Sequence, residues 1–264
     1  MKFYSKESLI SNSKMIKEDK IGLIKTISII EQGVKYYFKE YTNFLPPSVY
    51  ILINDYYISD DFTIKYYGGI ESAERKIVMI KPYYEEFEDV ELPIIPIEIN
   101  FSEKFSNIDH RDVLGSLMAL GIKRDTIGDI YVHDSFCHII IKKSILEFLL
   151  LNFRKVRNTT IFIKEISFKE VKYCEAKYNI INVTISSNRL DTIISKGFNI
   201  DRVTAKKKVN SEIVKVNHKL VDNPHLKLNE GDLISVRGEG RIILYKFNGI
   251  SKKDKLRVSI KKII

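Results

Sequence analysis

Several features that define other protein classes are missing from this chain of 264 residues. No apolar run approaches the roughly 18–20 residues of a membrane span, and the start, Met1 to Glu7, lacks the apolar core of a signal peptide. The two cysteines, Cys137 and Cys174, stand far apart without a CxxC motif, which indicates neither a zinc site nor a disulfide framework. We therefore expect a cytoplasmic protein with no membrane partner.

Motifs for nucleotide, acyl-transfer and metal chemistry are missing as well. The chain has no GxxxxGK, no GxSxG and no glycine-rich dinucleotide loop. Its histidines show no metal-ligand spacing; His133 and His138 flank a predicted hairpin and could face each other, but two ligands without a third are a weak signal. We expect no cofactor, no metal and no small-molecule substrate.

Two tripeptides resemble fragments of enzyme motifs. His110-Arg111-Asp112 resembles the catalytic loop of kinases, but Leu117 stands where that loop needs a metal-binding asparagine. The alternatives for it are a helix N-terminus with polar contacts and a surface that touches RNA. Arg189-Leu190-Asp191 resembles the aspartate-containing tripeptide of pseudouridine synthases, but too few residues follow it for a catalytic domain of that class. We therefore predict a protein that is not an enzyme and has no catalytic residue.

Positive charge is concentrated in the C-terminal third of the chain. Residues 186–264 contain 18 Lys and Arg against 8 Asp and Glu, a net charge of +10, whereas residues 1–185 contain 25 against 26, a net charge of −1. Clustered cations neutralise phosphates and release counterions. The asymmetry favours a nucleic-acid-binding unit attached to a neutral body, with a lysine-rich solvated surface as the alternative.

The stretch from Asn188 to Val236 predicts two short helices followed by a small strand-rich unit. Apolar residues at spacings of three and four indicate the first helix, which Asn188 is placed to cap and Gly197 to end. Asp201 can cap a second helix, which carries a cluster of cations. Residues 214–216 alternate as in a half-buried strand.

This pattern resembles the S4 RNA-binding module of a ribosomal protein, of pseudouridine synthases and of tyrosyl-tRNA synthetases. The resemblance is carried by Arg189-Leu190-Asp191, Arg202, Ala205, Val214 through Asn217, Glu230-Gly231-Asp232, Ile234 and Val236. Asp201 stands where the module usually has serine, and Glu212 where it usually has glycine. The resemblance implies binding of structured RNA. We expect the RNA-binding residues to be Arg189, Arg202, Lys206, Lys207, Lys215, Asn217, Lys219, Arg237 and Arg241.

The middle of the chain predicts an α+β domain with helices on one side of a sheet. The predicted order is strand, strand, helix, hairpin, helix, strand, with Asp109 capping the first helix and Gly121 ending it. This outline is like an RRM fold, but a clear pattern of the paired aromatic residues that RRM recognition uses is missing. The likeness therefore does not carry that mode of binding. Upstream, residues 5–42 and 48–58 are predicted to be helical.

Motifs along most of the chain are similar to those of the YlmH family of bacterial S4 proteins. They are Gly69, Ala73-Glu74-Arg75, His110-Arg111-Asp112, Leu114 through Met118, Leu120 through Arg124, Ile127 through Ile130, Ser235 through Gly238, and Gly240-Arg241. The resemblance implies three parts: a mainly helical domain over 1–75, an RRM-like α/β domain over 76–182 and an αL-type S4 module over 183–264.

What the YlmH resemblance implies about function is RNA binding on the ribosome. Members of the family associate with the large subunit and are linked to ribosome-associated quality control, where a stalled subunit carries peptidyl-tRNA. The implied partners are therefore rRNA, tRNA and the large ribosomal subunit, with a possible second contact at His110, Arg111, Lys123 and Arg124. The alternatives are a pseudouridine-synthase-like RNA-modifying enzyme and a general nucleic-acid-binding accessory linked to cell division.

Overall fold

Helices and strands follow one another in two separate units. The computed structural model describes residues 6–12, 14–54, 56, 60–84, 91–101, 108–174 and 177–263. The first unit comprises Met1–Asn12 with Lys17–Cys174, and the second comprises Ser13–Ile16 with Glu175–Ile264. Within the described residues, no helix has both the length and the apolarity that a bilayer crossing requires.

The N-terminal part of the first unit is mainly helical and includes a small sheet. Its elements are α1 (Lys6–Asn12), α2 (Lys17–Tyr36), β1 (Glu40–Tyr41), α3 (Pro47–Ile53), β2 (Phe62–Tyr67) and β3 (Ile77–Pro82). The three strands are antiparallel in the order β1-β3-β2. The predicted helices over 5–42 and 48–58 are too long at their C-terminal ends, since Tyr37 turns left-handed after α2 with φ 55° and α3 ends at Ile53. Residues 5, 13, 55, 57, 58 and 59 lie outside the described residues.

The second part of the first unit has the strand order of an RRM. Its elements are β4 (Ile94–Phe101), α4 (His110–Ala119), β5 (Ile127–Val132), β6 (Phe136–Lys142), α5 (Leu146–Asn152), β7 (Lys155–Val156) and β8 (Thr159–Glu165). The sheet is antiparallel in the order β5-β6-β4-β8-β7, so the first and third long strands are central. Asp109 caps α4 in a capping box with Asp112, as predicted. Val113, Leu117 and Leu149 from the two helices are buried in one cluster with the strands.

The other face of this sheet packs against the N-terminal part of the chain. Tyr131 and Ile140 of the sheet form a buried cluster with Phe44 and Ile77, flanked by partly buried side chains that include Phe168. This is the face on which an RRM presents its aromatic residues to RNA. Because it is filled by the protein's own side chains, the RRM mode of binding has no open surface at this cluster.

The second unit is a pair of helices on a six-stranded antiparallel sheet. Its elements are β9 (Tyr178–Ile185), α6 (Leu190–Phe198), α7 (Arg202–Asn210), β10 (Val214–Val216), β11 (Lys219–Leu220), β12 (Leu233–Val236), β13 (Gly240–Ile250) and β14 (Leu256–Ile263). The strand order is β11-β10-β12-β13-β14-β9. Ile193 and Ala205 from the helices are buried with Ile234, Ile242 and Ile260 from the strands. The α+β class with an RRM-like middle and a C-terminal S4 module is confirmed.

The helix ends of the second unit correct part of the prediction. Asp201 caps α7 as predicted, accepting a hydrogen bond from the backbone N of Thr204 at 2.8 Å. Asn188 does not cap α6; its Nδ2 donates to the backbone O of Leu228 at 2.7 Å. Nor does Gly197 end α6, which runs to Phe198 and is closed by left-handed Asn199 with φ 54°. Gly197 is buried inside the helix, where a Cβ would come within 2.5 Å of Ile242.

Neither of the two predicted domain boundaries falls between complete sheets. The bound between 75 and 76 lies just before β3, which pairs with both β1 and β2, so strands of one sheet lie on its two sides. The bound between 182 and 183 lies inside β9, which pairs with β14 from Tyr178 to Ile185. The division into 1–75, 76–182 and 183–264 stays a prediction.

Candidate RNA-binding site

Helix α7 presents three of the predicted cations on a short rigid element. Ala205 and Val209 are buried in the core, and this orientation leaves Arg202, Lys206 and Lys207 exposed. Because Asp201 satisfies an N-terminal backbone donor of the helix, the first turn that carries Arg202 is fixed.

Asp191 of α6 is the centre of a buried ion cluster that includes two predicted RNA-binding residues. Arg189 donates from Nε to Oδ1 at 3.1 Å and from Nη2 to Oδ2 at 2.8 Å, and Arg202 donates from Nε to Oδ2 at 3.1 Å. The Asp191 side chain is 2% exposed, whereas Arg189 is 29% exposed and Arg202 is 51% exposed. Arg189 is thus mainly a structural partner, while Arg202 is shared between Asp191 and the surface.

The charge state of Asp191 follows from two opposing effects. Burial favours the neutral acid, but the hydrogen bonds from Arg189 and Arg202 outweigh it and hold the pKa of Asp191 below its usual value. A carboxylate enclosed in this way has no open path to a substrate. The geometry therefore favours the structural role of the Arg189-Leu190-Asp191 tripeptide over the pseudouridine-synthase alternative.

Asn217 lies in the hairpin between β10 and β11, and its side chain is hydrogen-bonded to other residues of the second unit. Its Nδ2 donates to Oδ1 of Asp232 at 2.7 Å, and its Oδ1 accepts from the backbone N of Leu233 at 2.9 Å. Asp232 also accepts from the backbone N of Asn229 at 2.7 Å. The side chain of Asn217 therefore fixes the loop before β12, and contact with RNA would compete with these bonds.

The solvent face of the second sheet carries two further predicted cations in one row. Lys215 pairs with Ser235, and Ser235 pairs with Arg241, across β10, β12 and β13. Since neighbouring Val214, Val216, Ile234, Val236 and Ile242 are buried against the helices, this row points away from α6 and α7. Lys219 begins β11, Arg237 directly follows β12, and both are exposed. The predicted residues thus divide between the helix layer and the opposite sheet face.

The possible second contact lies in the first unit, and only part of it is on the surface. His110, Arg111 and Lys123 are exposed. Arg124 is not, because its Nη1 donates to the backbone O of Ile127 at 2.6 Å and of Gly128 at 3.2 Å. Burial, aided by the nearby charge of Arg75, lowers the pKa of Arg124 to about 10. Arg124 therefore holds a turn and is not placed to reach RNA.

The histidine pair on the hairpin does not form a metal site. The rings of His133 and His138 do lie close together, with centroids 5.8 Å apart. However, Nδ1 of His138 accepts from the backbone N of Lys172 at 2.9 Å, so Nε2 donates to Glu98 at 3.0 Å. Both ring nitrogens of His138 are therefore occupied, and the described residues contain no group of side chains that could hold a metal ion.

Comparisons with known proteins identify the relatives of this chain. A family model for an RNA-binding domain in YlmH matches residues 85–170, and the S4 domain model matches residues 188–234. Ribosome-associated protein quality control protein P2 of Bacillus subtilis (strain 168) is 29% identical over 226 residues, 86% of this chain and 88% of the relative. The resemblance to the YlmH family is confirmed. A solved structure, cell division protein ylmH from Streptococcus pneumoniae, has 26% identity and a TM-score of 0.47, covering 61% of this chain and 98% of its own.

Two of the YlmH motifs in the first unit, Ala73-Glu74-Arg75 and Ile127 through Ile130, meet at a joint between its two parts. Asp129 accepts from the backbone N of Glu74 at 2.6 Å and of Arg75 at 3.1 Å. Arg75 in turn donates from Nη2 to the backbone O of Phe44 at 2.9 Å. Burial raises the pKa of Asp129, with the backbone hydrogen bonds opposing this effect. These motif residues are thus structural, and no feature of their spacing in the sequence indicated that they meet.

The S4 match accounts for only part of the positive charge of the second unit. Residues 188–234 contain nine Lys and Arg against six Asp and Glu, a net charge of +3. Residues 240–264, which include β13 and β14, contain eight against one, a net charge of +7. The charge asymmetry of the sequence predicts one basic unit over residues 186–264, but most of the positive charge of that stretch lies beyond the matched S4 residues.

Proposed function

We propose that this chain is a non-enzymatic RNA-binding protein of the cytoplasm that acts on the ribosome. It binds rRNA or tRNA of the large subunit in quality control of stalled peptidyl-tRNA complexes. The observation that carries the proposal is the exposed cationic face of α7 within the matched S4 residues. The place of action is supported by the name of the Bacillus subtilis relative, whose match covers most of both chains.

The S4 module binds RNA through a preorganised set of cations. Lys206 and Lys207 are exposed on a capped helix, so little conformational entropy is lost when they contact phosphates. Asp191 holds Arg202 through its Nε alone, and within the described residues the two Nη atoms of Arg202 donate to no partner. That edge of the guanidinium can bind one phosphate with two parallel hydrogen bonds. Two rigid helices with fixed charges suit structured RNA, which is recognised mostly by shape.

The first unit provides the second contact. His110 and Arg111 begin α4, Lys123 lies after its end, and all three are exposed. The first unit has almost no net charge, since residues 1–185 carry −1. Contacts from this surface therefore contribute less to affinity than those of the second unit and help to fix orientation on the ribosome.

Ribosome co-sedimentation of the full chain tests the proposal. The test variant is Lys206→Ala with Lys207→Ala, because Arg202 also stabilises Asp191 and its loss would affect the fold. The matched control is Lys252→Ala with Lys253→Ala, which removes the same charge from the exposed turn between β13 and β14. We expect the α7 variant to lose on the order of 2 kcal/mol of binding, about thirtyfold in affinity, and the control less than about 1 kcal/mol.

The outcomes separate three situations. Wild-type binding that weakens steeply with salt, with the larger loss in the α7 variant, supports the proposal. Equal losses in the two variants would mean a diffuse basic surface without preorganised contacts. A wild-type chain that does not sediment with ribosomes contradicts the proposed place of action. Cross-linking followed by RNA sequencing then identifies the rRNA helix or tRNA.

A further inference from the structure

An aromatic and cationic surface lies on three strands that are outside the matched S4 residues. It consists of Tyr178 and Ile180 of β9, Tyr245 of β13 and Lys261 of β14, and we call it the tyrosine face. Tyr178 is 48% exposed, Ile180 is 53% exposed and Tyr245 is 46% exposed. The S4 match ends at residue 234 and begins at 188, so none of these residues belongs to it.

The register of the strands places these side chains together on the sheet face opposite the helices. Lys261 pairs with Ile180 on one side and with Ile243 on the other. The neighbouring Ile260 is buried in the core, so Lys261 points outward. Its Nζ lies 3.8 Å from the ring centroid of Tyr245 and 4.3 Å from that of Tyr178. Both distances are in the range of cation–π attraction, which holds the two rings on either side of one ammonium group.

The sheet that carries the tyrosine face has no negative charge on its strands. None of the six strands, β9 to β14, contains Asp or Glu in its sequence. The cations on these strands are Lys215, Lys219, Arg241, Lys246, Arg257, Lys261 and Lys262. A sheet with this charge attracts a polyanion and repels a basic partner.

Exposed aromatic rings beside cations match the chemistry of unpaired nucleotides. Phosphates bind the cations, and each base can stack on an aromatic ring irrespective of its sequence. Paired RNA offers no base faces to these rings because its bases are stacked inside the helix. The rings therefore add affinity only where the RNA is single-stranded.

We propose that the tyrosine face binds an unpaired stretch of RNA. Tyr178 and Tyr245 stack on bases, while Lys261 and the outward-facing Arg257 contact the phosphates on either side. The inference rests on the proposed RNA binding of this chain and adds to it a second kind of RNA contact. Structured RNA is bound by the S4 helices, and an adjoining single strand is bound by strands that lie outside the S4 match.

Binding of two RNA probes to the full chain tests the inference. One probe is a fluorescein-labelled oligouridine about ten nucleotides long, within the site sizes of single-strand binders, and the other is an RNA duplex of similar length. The test variant is Tyr178→Leu with Tyr245→Leu, which keeps charge and apolar character but removes the rings. One control is Tyr178→Phe with Tyr245→Phe. The second control is Tyr83→Leu with Tyr84→Leu, at tyrosines that are 66% and 63% exposed in the first unit.

We expect the leucine variant to bind oligouridine about tenfold or more weakly and the duplex within about twofold of wild type. Both controls should bind oligouridine like wild type. Unchanged oligouridine binding by the leucine variant would overturn the inference. So would a variant that keeps oligouridine binding but loses ribosome binding, since the face would then dock a protein. Wild-type binding to the duplex alone also overturns it and leaves the proposed function standing. Binding to neither probe overturns it as well, and ribosome co-sedimentation then decides the proposed function by itself.

A second measurement does not depend on the folding of the leucine variant. The chain contains no tryptophan, so Tyr245→Trp introduces a single indole at the tyrosine face. Stacking of a base on this indole should quench its fluorescence when oligouridine is added and leave it unchanged when the duplex is added. Fluorescence that is unaffected by oligouridine, under conditions in which the probe binds, would overturn the inference.

Discussion

Replacement of Asp191 by asparagine should destabilise the second unit more than removal of the Arg202 side chain does. The carboxylate accepts three hydrogen bonds from Arg189 and Arg202 while its side chain is 2% exposed. Removing one partner of a buried ion pair costs about 3–5 kcal/mol. The arginines are 29% and 51% exposed and regain water, so we expect a smaller loss of about 2–3 kcal/mol. Arg202→Ala loses one bond at the surface and should cost about 1 kcal/mol.

Hydrogen exchange resolved to α6 is the suitable measurement. The chain has two separate units, and a single denaturation curve would combine their transitions. Ile193 and Ile194 lie in α6 just after Asp191, and their side chains are in the core. The exchange of their backbone amides therefore reports the opening of the second unit. Exchange in β4 of the first unit is the internal control and should not change.

The difference in stability between wild type and Asp191→Asn should decrease as the pH falls. The pKa of Asp191 is lowered in the folded chain because the bonds from the arginines outweigh the effect of burial. Its contribution is therefore complete above the unfolded pKa, near 3.9, and is lost as the pH falls through the lower folded pKa. Wild type and Asp191→Asn should converge in acid. A difference that stays constant as the pH falls, or a loss no larger than that of Arg202→Ala, would refute this reasoning.

Two further changes test the backbone. Glu212 has a left-handed φ of 56°, so Glu212→Gly should stabilise the second unit by about 1 kcal/mol, seen as slower hydrogen exchange in α6; faster exchange there would contradict the assignment of strain. Gly128→Ala should destabilise the first unit by about 2 kcal/mol, because its Cβ would lie 2.8 Å from the Phe44 ring and 3.1 Å from the Ile140 carbonyl. Hydrogen exchange of the α4 amides should therefore be faster in the Gly128→Ala variant than in wild type. Slower exchange would argue against the clash.

The sequence predicted those features that depend on neighbouring residues. Asp109 and Asp201 were correctly predicted as helix caps because a cap contacts a backbone N three residues away. The N-terminus of α6 was not correctly predicted, since its partners are Leu226 and Leu228. A contact between residues that are far apart in the sequence produces no periodic pattern from which it could be predicted. The same is true of the contacts that Arg189 and Arg202 make with Asp191.

The tyrosine face explains why β9 was not predicted as one strand. Alternation identifies a half-buried strand only when the exposed positions are polar. In β9 the outward positions include Tyr178 and Ile180, while Ile181 and Val183 pack on the core, so apolar residues stand on both faces. The feature that makes this surface a candidate RNA contact is therefore also the feature that obscured the strand and placed the predicted domain bound inside it.

The position of β3 also determines where this protein can be divided. Ile77, Val78, Met79 and Ile80 are all buried, and both edges of β3 are paired because it lies between β1 and β2 in its sheet. A fragment that begins at residue 76 would expose this apolar strand on both edges, which is a known route to aggregation. The RRM-like part is thus not a transplantable module, and an engineered chimera should keep everything from α2 to Cys174 together.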